Sequence, residues 1–215
     1  MRKGKFIVFE GIDGSGKTTQ IKRLTQQFEA MNWAYHDTKE PTDRPVGKLI
    51  RRVLNRELKL GEKTMAALFL ADRLDHIQHE EDGMLAKVAQ GIHVISDRYY
   101  LSSYAYHSTH VPLDWVIAAN RECAKLLRPD LVIFLDITPE KSLARIKKSR
   151  ASLDLYETEE QLKKVRKNYF IAMERVEAEE HIVVIDATQK ETVIAATIWE
   201  AVAGLSPALR DTASL

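Results

Sequence analysis

Short apolar runs alternate along the chain with longer stretches whose apolar residues recur every three or four positions. Five runs predict β-strands, at 6–10, 34–38, 92–96, 131–135 and 182–186. Leu131-Val132-Ile133-Phe134-Leu135 is apolar throughout, which marks a strand covered on both faces. Between the runs the period becomes helical: Val46, Leu49, Ile50, Val53 and Leu54 follow an i, i+3, i+4, i+7, i+8 stripe. Helical patterns also cover about 17–28, 62–89, 113–127, 156–178 and 190–203. This alternation predicts an α/β fold with a five-stranded parallel sheet and helices on both faces, binding ligands beyond the carboxyl ends of the strands. Four runs end near an acid, Glu10, Asp97, Asp136 and Asp186, and each such acid either faces the site or caps the next element. No repeat, low-complexity stretch or linker interrupts the pattern, so one domain is expected over 1–205, with 206–215 as a flexible tail.

Composition narrows the classes. Thirty-two basic residues oppose 31 acidic ones, a net charge of +1, so the chain lacks the basic excess of a nucleic-acid binder. Any phosphate chemistry must rest on individually placed cations. No apolar run is long enough to cross a bilayer, and the first residues lack the apolar region of a signal peptide. Cys123 is the single cysteine and has no internal disulfide partner, so a reducing cytoplasm is the expected compartment and a small core residue in a helix the expected role.

Gly11-Ile12-Asp13-Gly14-Ser15-Gly16-Lys17-Thr18 fits G-x-x-x-x-G-K-[ST] between a predicted strand and a predicted helix. Glycines at this spacing let successive backbone N–H groups point at phosphate oxygens, and the following helix presents its positive end. Lys17 is placed to bridge the outer phosphates of a nucleoside triphosphate, and Thr18 to put its hydroxyl on magnesium. The motif names the donor and leaves the acceptor open.

Three segments narrow the acceptor. Phe9 to Gln20 with its Thr18-Thr19 pair, Leu68-Phe69-Leu70-Ala71-Asp72-Arg73, and Asp97-Arg98-Tyr99-Tyr100-Leu101-Ser102-Ser103-Tyr104-Ala105-Tyr106 resemble, in order and spacing, three motifs of the thymidylate kinase family. The resemblance runs from residue 5 to about 203. It implies a P-loop nucleoside monophosphate kinase fold, ATP as donor, magnesium as cofactor, thymidine monophosphate as acceptor and a homodimer, with no nucleic-acid or membrane partner. It implies that Asp13 holds the sugar 3′-hydroxyl and the magnesium shell, with Asp97 near the metal. Arg98 then grips the acceptor phosphate, Phe69 stacks on thymine, Arg73 hydrogen-bonds its carbonyl edge, Ser103 approaches the base and Tyr106 lies beside the sugar. A planar guanidinium suits phosphate and base edges alike, which an ammonium cannot reproduce. Of the four tyrosines in the third segment, at least two are expected to pack rather than line a site. Glu40-Pro41 falls where the family reads Arg-Glu-Pro-Gly-Gly; here Lys39 replaces the Arg, the glycines are absent and Pro41 still stiffens the pocket edge.

Some family members carry an Arg inside the P-loop beside the Asp, where this chain has Gly14. The catalytic cation is then expected from a lid near 145–157, with Arg150 first and Lys148 second, Arg145 stacking on the donor adenine and Tyr156 near the acceptor. The family's Asp-Arg-x-Glu reads Asp154-Leu155-Tyr156-Glu157 here, without its Arg. Arg51-Arg52 and the Lys163–Lys167 cluster are expected on solvated helix faces. Three rivals stay open: a nucleotide kinase of other base preference, a deoxynucleoside kinase using Glu40 as general base, and a nucleotide-operated switch. The last lacks an Asn-Lys-x-Asp guanine-reading motif.

Overall fold

The computed structural model of the chain describes residues 3–149 and 158–205. Five parallel strands form one sheet, β1 (Phe6–Glu10), β2 (Tyr35–Lys39), β3 (His93–Asp97), β4 (Leu131–Asp136) and β5 (Ile182–Asp186), in the order β2-β3-β1-β4-β5. The strands begin or end within a residue of the predicted runs. β1 and β4, at the centre, are buried along nearly their whole length, as continuous apolar runs require. β5 is equally apolar, yet as an edge strand it leaves Val184 52% exposed.

Nine helices connect and cover the sheet among the described residues: α1 (Lys17–Ala30), α2 (Pro45–Leu54), α3 (Glu62–Gln78), α4 (Met84–Ala89), α5 (Tyr100–His107), α6 (Leu113–Leu126), α7 (Pro139–Ser149), α8 (Glu159–Val176) and α9 (Glu191–Ala203). The continuous pattern over 62–89 resolves into α3 and α4. The break falls at Gly83, where an added Cβ would stand 2.5 Å from His79 O, so only glycine permits the chain to fold back there. Residues 100–107 carry no helical stripe because all eight side chains of α5 are buried. A helix apolar or enclosed on every side has no polar face to set a period.

The core joins both layers. Phe6, Phe9, Val94, Ile133 and Phe134 of the sheet are fully buried against Phe28 of α1, Tyr99 and Tyr169 of α8. Cys123 is buried and unpaired in α6, and burial pushes its thiol up to about 11, which leaves it an inert packing residue. A second, smaller cluster of Ile50, Val53 and Met65 holds α2 against α3, with Phe69 partly inserted.

One contact fixes the distance of α2 from the sheet edge. A Cβ on Gly47 would stand 2.0 Å from Thr42 O in the loop after β2. Gly47→Ala must therefore push α2 off that loop. The expected cost is about 1–3 kcal/mol in urea unfolding, the usual scale for overpacking.

Candidate active site

The register of β1 against β3 pairs Phe9 with Asp97 and so brings Gly11 and Arg98 side by side at the carboxyl end of the sheet. The P-loop curls away from β1 through Gly11 (φ 140°), Gly14 (φ 73°) and Gly16 (φ 101°). A Cβ on Gly11 would meet Leu135 O at 2.6 Å, and one on Gly14 would meet Ser142 O at 2.7 Å. Neither position admits a side chain without moving β4 or α7. Ser142 Oγ donates to Asp13 O, and Arg145 donates to Ser15 O (3.2 Å) and Ala187 O (2.8 Å), so α7 braces the outer side of the loop. Ser15 is buried in the loop, its Oγ without a hydrogen-bond partner among the described residues. Lys17 opens α1 with its Nζ 3.3 Å from Gly11 O and 3.8 Å from Asp97 Oδ1, while Thr18 and Thr19 are exposed on the same turn. Burial and the nearby Arg98 charge depress the Lys17 pKa against the pull of Asp97, Asp13 and Glu10.

Arg98 stands in the left-handed region at φ 77°, where a non-glycine residue is strained. Its N–H donates to Phe9 O (2.9 Å), and the turn sends its guanidinium back over the P-loop. There it donates to Asp13 Oδ1 (2.6 Å), Gly11 O (3.2 Å), Ser102 Oγ (3.0 Å) and the hydroxyls of Tyr106 and Tyr169 (both 3.2 Å), with Tyr106 also under its plane at 4.9 Å. Tyr106 OH donates to the second Asp13 oxygen at 2.8 Å. Burial would raise the Asp13 carboxyl, but Arg98, Lys17 and the hydrogen bonds from Tyr106 and Arg98 outweigh it and hold it down at about 2.

Beside this pair opens a cavity of about 480 Å³, with Asp13 and Arg98 at one end and Phe69 and Arg73 of α3 along its wall. Glu40, Pro41, Ser103 and Tyr106 line it too, so every predicted acceptor-side residue within the described chain converges here. Arg73 is 1% exposed, not on a solvated helix face, and Asp72 beside it is buried, accepting from Thr42 N (2.8 Å) and Thr42 Oγ1 (2.6 Å). Tyr99, Tyr100 and Tyr104 are buried in the core, leaving Tyr106 alone of the four tyrosines on the cavity. Tyr156, Arg150 and the Asp154–Glu157 segment lie outside the described residues. Lys148 is exposed in the last turn of α7, and Arg145, the first residue of the expected lid, belongs to the same helix.

The sequence reading missed five cavity residues: Lys39, Arg51, Leu54, Ser102 and His107. Arg51 departs from its expected solvated face: its guanidinium donates to Pro41 O (2.7 Å) and to Thr42 O and Asp43 (both 2.5 Å), tying α2 to the loop after β2. Arg166, from the other basic cluster, likewise makes a two-pronged pair with Asp136 at 2.7 and 2.8 Å, whereas Lys163 and Lys164 are exposed as expected. Leu54 was legible as part of the α2 stripe, but no sequence signal marked His107, which the burial of α5 alone brings to the wall. Its ring lies 5.0 Å from that of Phe69, and its Nδ1 is buried without a hydrogen-bond partner among the described residues.

Among the described residues no three His, Cys, Asp or Glu side chains cluster into an all-protein metal cage. A magnesium ion held chiefly by phosphates and one or two carboxylates needs no such cage. Asp97 fits that demand: its Oδ1 is buried with no hydrogen-bond partner among the described residues, beside Lys17 and the P-loop.

The family model described as thymidylate kinase matches residues 9–198, nearly the whole P-loop domain and both strand-end segments that build this cavity. The chain belongs to the thymidylate kinase family. It is 42% identical over 173 residues to a probable thymidylate kinase of Pyrococcus horikoshii, spanning 78% of this chain and 82% of that protein. It is 39% identical to one of Methanocaldococcus jannaschii, spanning 86% and 88%. It is 38% identical to one of Methanosphaera stadtmanae, spanning 88% and 92%. In this family member no helix of the described residues is long and apolar enough to cross a membrane.

His107 gives the site a pH signature. Burial, reinforced by the Arg73 charge, lowers its pKa from 6.5 to about 3. As pH falls below about 6.5 the unfolded chain takes up a proton at this ring and the folded chain does not, so stability declines from there down toward about 3. In NMR titration the His107 ring is expected to show no protonation between pH 8 and about pH 5, where an ordinary histidine is already charged.

Proposed function

We propose that this chain transfers the terminal phosphate of ATP to thymidine monophosphate, giving ADP and thymidine diphosphate. One observation carries the reading: the P-loop and a separate cavity share Asp13, and the cavity holds one guanidinium, Arg98, paired with that P-loop residue, and an aromatic face, Phe69, with a second guanidinium, Arg73. A monophosphate lying there would have its anion at Arg98 and its base at Phe69 and Arg73.

The acceptor phosphate is already an ionised nucleophile, so the protein needs to position two anions and neutralise their charge rather than remove a proton. Lys17 and the backbone N–H groups of Gly14, Gly16, Thr18 and Thr19 bind the donor phosphates, and Arg145, held at the loop, stacks on the donor base. Arg98 binds the acceptor phosphate, exchanging part of its contact with Asp13, which becomes free to accept from the sugar hydroxyl. Phe69 stacks on the base, Arg73 donates to its carbonyl edge, Ser103 borders it and Tyr106 crowds the sugar. Magnesium, when bound, would be held by Thr18 and Asp97 with Asp13 in its outer shell, and would neutralise charge on the phosphates. The remaining catalytic cation comes from the lid over 145–157, with Arg150 ahead of Lys148 and Tyr156 among the acceptor-binding residues; the lid is part of a single kinase domain over 1–205.

Glu40 argues against the deoxynucleoside kinase alternative. Its Oε2 accepts from Arg73 Nε (2.9 Å) and Nη2 (2.6 Å) and its Oε1 pairs with His76 Nδ1 (3.2 Å), which leaves the carboxylate engaged on both oxygens. As a base taking a proton from a neutral hydroxyl, this carboxylate would have to be shared with both partners.

The test is ADP production with ATP and magnesium across thymidine monophosphate, deoxyuridine monophosphate, the other monophosphates and thymidine. A clear preference for thymidine monophosphate is expected; a preference for thymidine would overturn the assignment and make Glu40 the base. Arg98→Ala is expected to lower turnover by at least about a hundredfold while ATP affinity stays within a few fold. Near-normal turnover in that variant would remove Arg98 from the acceptor site.

A further inference from the structure

Arg73 is a cation with 1% exposure, and its donors are almost fully assigned before any ligand arrives. A guanidinium has five N–H groups in one plane. Nε and one Nη2 hydrogen go to Glu40 Oε2 at 2.9 and 2.6 Å. Both Nη1 hydrogens are taken, one by Ser103 Oγ at 3.0 Å and one by Asn120 Oδ1 at 2.6 Å. One Nη2 hydrogen is left, on a side chain that lines the cavity.

Asn120 sits in the middle of α6, 2% exposed, and does not line the cavity. Its amide has one chemically consistent orientation. Arg73 can only donate, so the oxygen faces it; Val116 O can only accept, so Nδ2 faces that carbonyl, at 2.9 Å. The helix backbone therefore holds the amide, and the amide holds the guanidinium plane. Glu40 is anchored in the same way: His76 Nδ1 meets its second oxygen, and His76 Nε2 lies 2.7 Å from Thr38 Oγ1 of β2.

We infer that Asn120 is a positioning residue for base selection: with Glu40 and Ser103 it occupies four of the five N–H groups of Arg73 and leaves a single donor for the base. This rests on the proposed thymidine monophosphate acceptor. A lone fixed donor pairs with a ring carbonyl and is opposed by the amino group that cytosine carries at the corresponding position. A guanidinium free to rotate would present other donors and tolerate both edges less unequally. A site built to meet a specific polar group rejects the analogue that lacks it, because its own buried donor is then left unpaired.

The experiment compares full-length wild type, Asn120→Leu and Asn120→Asp with thymidine monophosphate and deoxycytidine monophosphate at saturating ATP. Leu matches the side-chain volume and removes the acceptor; Asp keeps an acceptor for Arg73. For Asn120→Leu the Michaelis constant for thymidine monophosphate is expected to rise roughly tenfold, the scale of one hydrogen bond to a charged group. Turnover is expected to fall by less than about threefold, the Michaelis constant for ATP to hold, and the preference over deoxycytidine monophosphate to shrink about tenfold. Asn120→Asp, which keeps the acceptor for Arg73 but loses the donor to Val116 O, recovers only part of that loss. If the Leu variant does not fold, Asn120→Ala takes its place on the same readings. A folded acceptor-less variant with wild-type selectivity, whatever its melting temperature, overturns the inference. A wild-type protein that does not favour thymidine monophosphate fails one step earlier and overturns the acceptor assignment itself.

Discussion

The site depends on the parallel register between β1 and β3. Because Phe9 pairs with Asp97, the two strands leave the sheet side by side, and the P-loop after β1 is forced against the Arg98 turn after β3. Glu10, the last residue of β1, is fully buried and accepts from Tyr99 N (2.9 Å), Ser102 N (3.0 Å), Ser102 Oγ (2.5 Å) and Tyr169 OH (2.9 Å). Burial pushes its pKa up, so this anchor is costly to keep ionised, yet every partner is a donor at or near the positive end of α5 or on α8. The carboxylate thereby fixes the start of α5 to the end of β1, and α5 carries Ser103, Tyr106 and His107 to the cavity wall. Of the four strand-end acids, Glu10 is thus a structural anchor, Asp97 faces the site, Asp136 pairs with Arg166 and Asp186 caps the turn before α9 through Thr188 N.

The same adjacency explains why the cavity is charged but balanced. Each of the two guanidiniums on the cavity is matched in advance: the partly buried Arg98 by Asp13 at 2.6 Å and the buried Arg73 by Glu40 at 2.6 Å. An unpaired guanidinium at such depth would cost several kcal/mol. The pairs differ in what surrounds them. Glu40 is locked between Arg73 and His76, whereas Asp13 is held on one side by Arg98 and on the other by a tyrosine hydroxyl that can rotate. In the proposed reaction an incoming phosphate would share Arg98 without stripping the guanidinium of neutralisation, while Arg73 would keep its partner and offer only direction.

Most of the sheet was legible because buried parallel strands write themselves as apolar runs, and the P-loop because its glycine spacing has few other uses. Of the helices that failed to show, α5 has a uniform environment around its axis, whereas α7, buried at Ser142 and Ile146 and exposed at Lys141, Arg145, Lys147 and Lys148, was expected only as the start of a basic lid. Arg51 and Asn120 illustrate a different limit. Nothing in Arg51-Arg52 or in Ala118-Ala119-Asn120 separates a solvated residue from a buried one, since their partners, Thr42 O and Arg73, come from other elements of the chain. The resemblance to known kinases pointed to Phe69, Arg73 and Arg98, and the structure brings all three to one cavity; the residues that aim them were reachable only through three-dimensional packing.

Gly14 shows how the fold itself decides where a catalytic cation can come from. Its φ of 73° already favours glycine, and a Cβ there would stand 2.7 Å from Ser142 O and 3.0 Å from Ile146 Cγ1. The position that in some relatives carries an arginine is here filled by α7, whose Ser142 and Arg145 hold the loop from outside. A charged side chain cannot be restored by substitution alone, because α7 would have to withdraw and release both braces. The helix that closes this route also ends in Lys147 and Lys148 and leads directly into the segment from 150 onward. Bracing the P-loop with α7 and closing the loop itself as a source of that charge are thus two consequences of one packing choice.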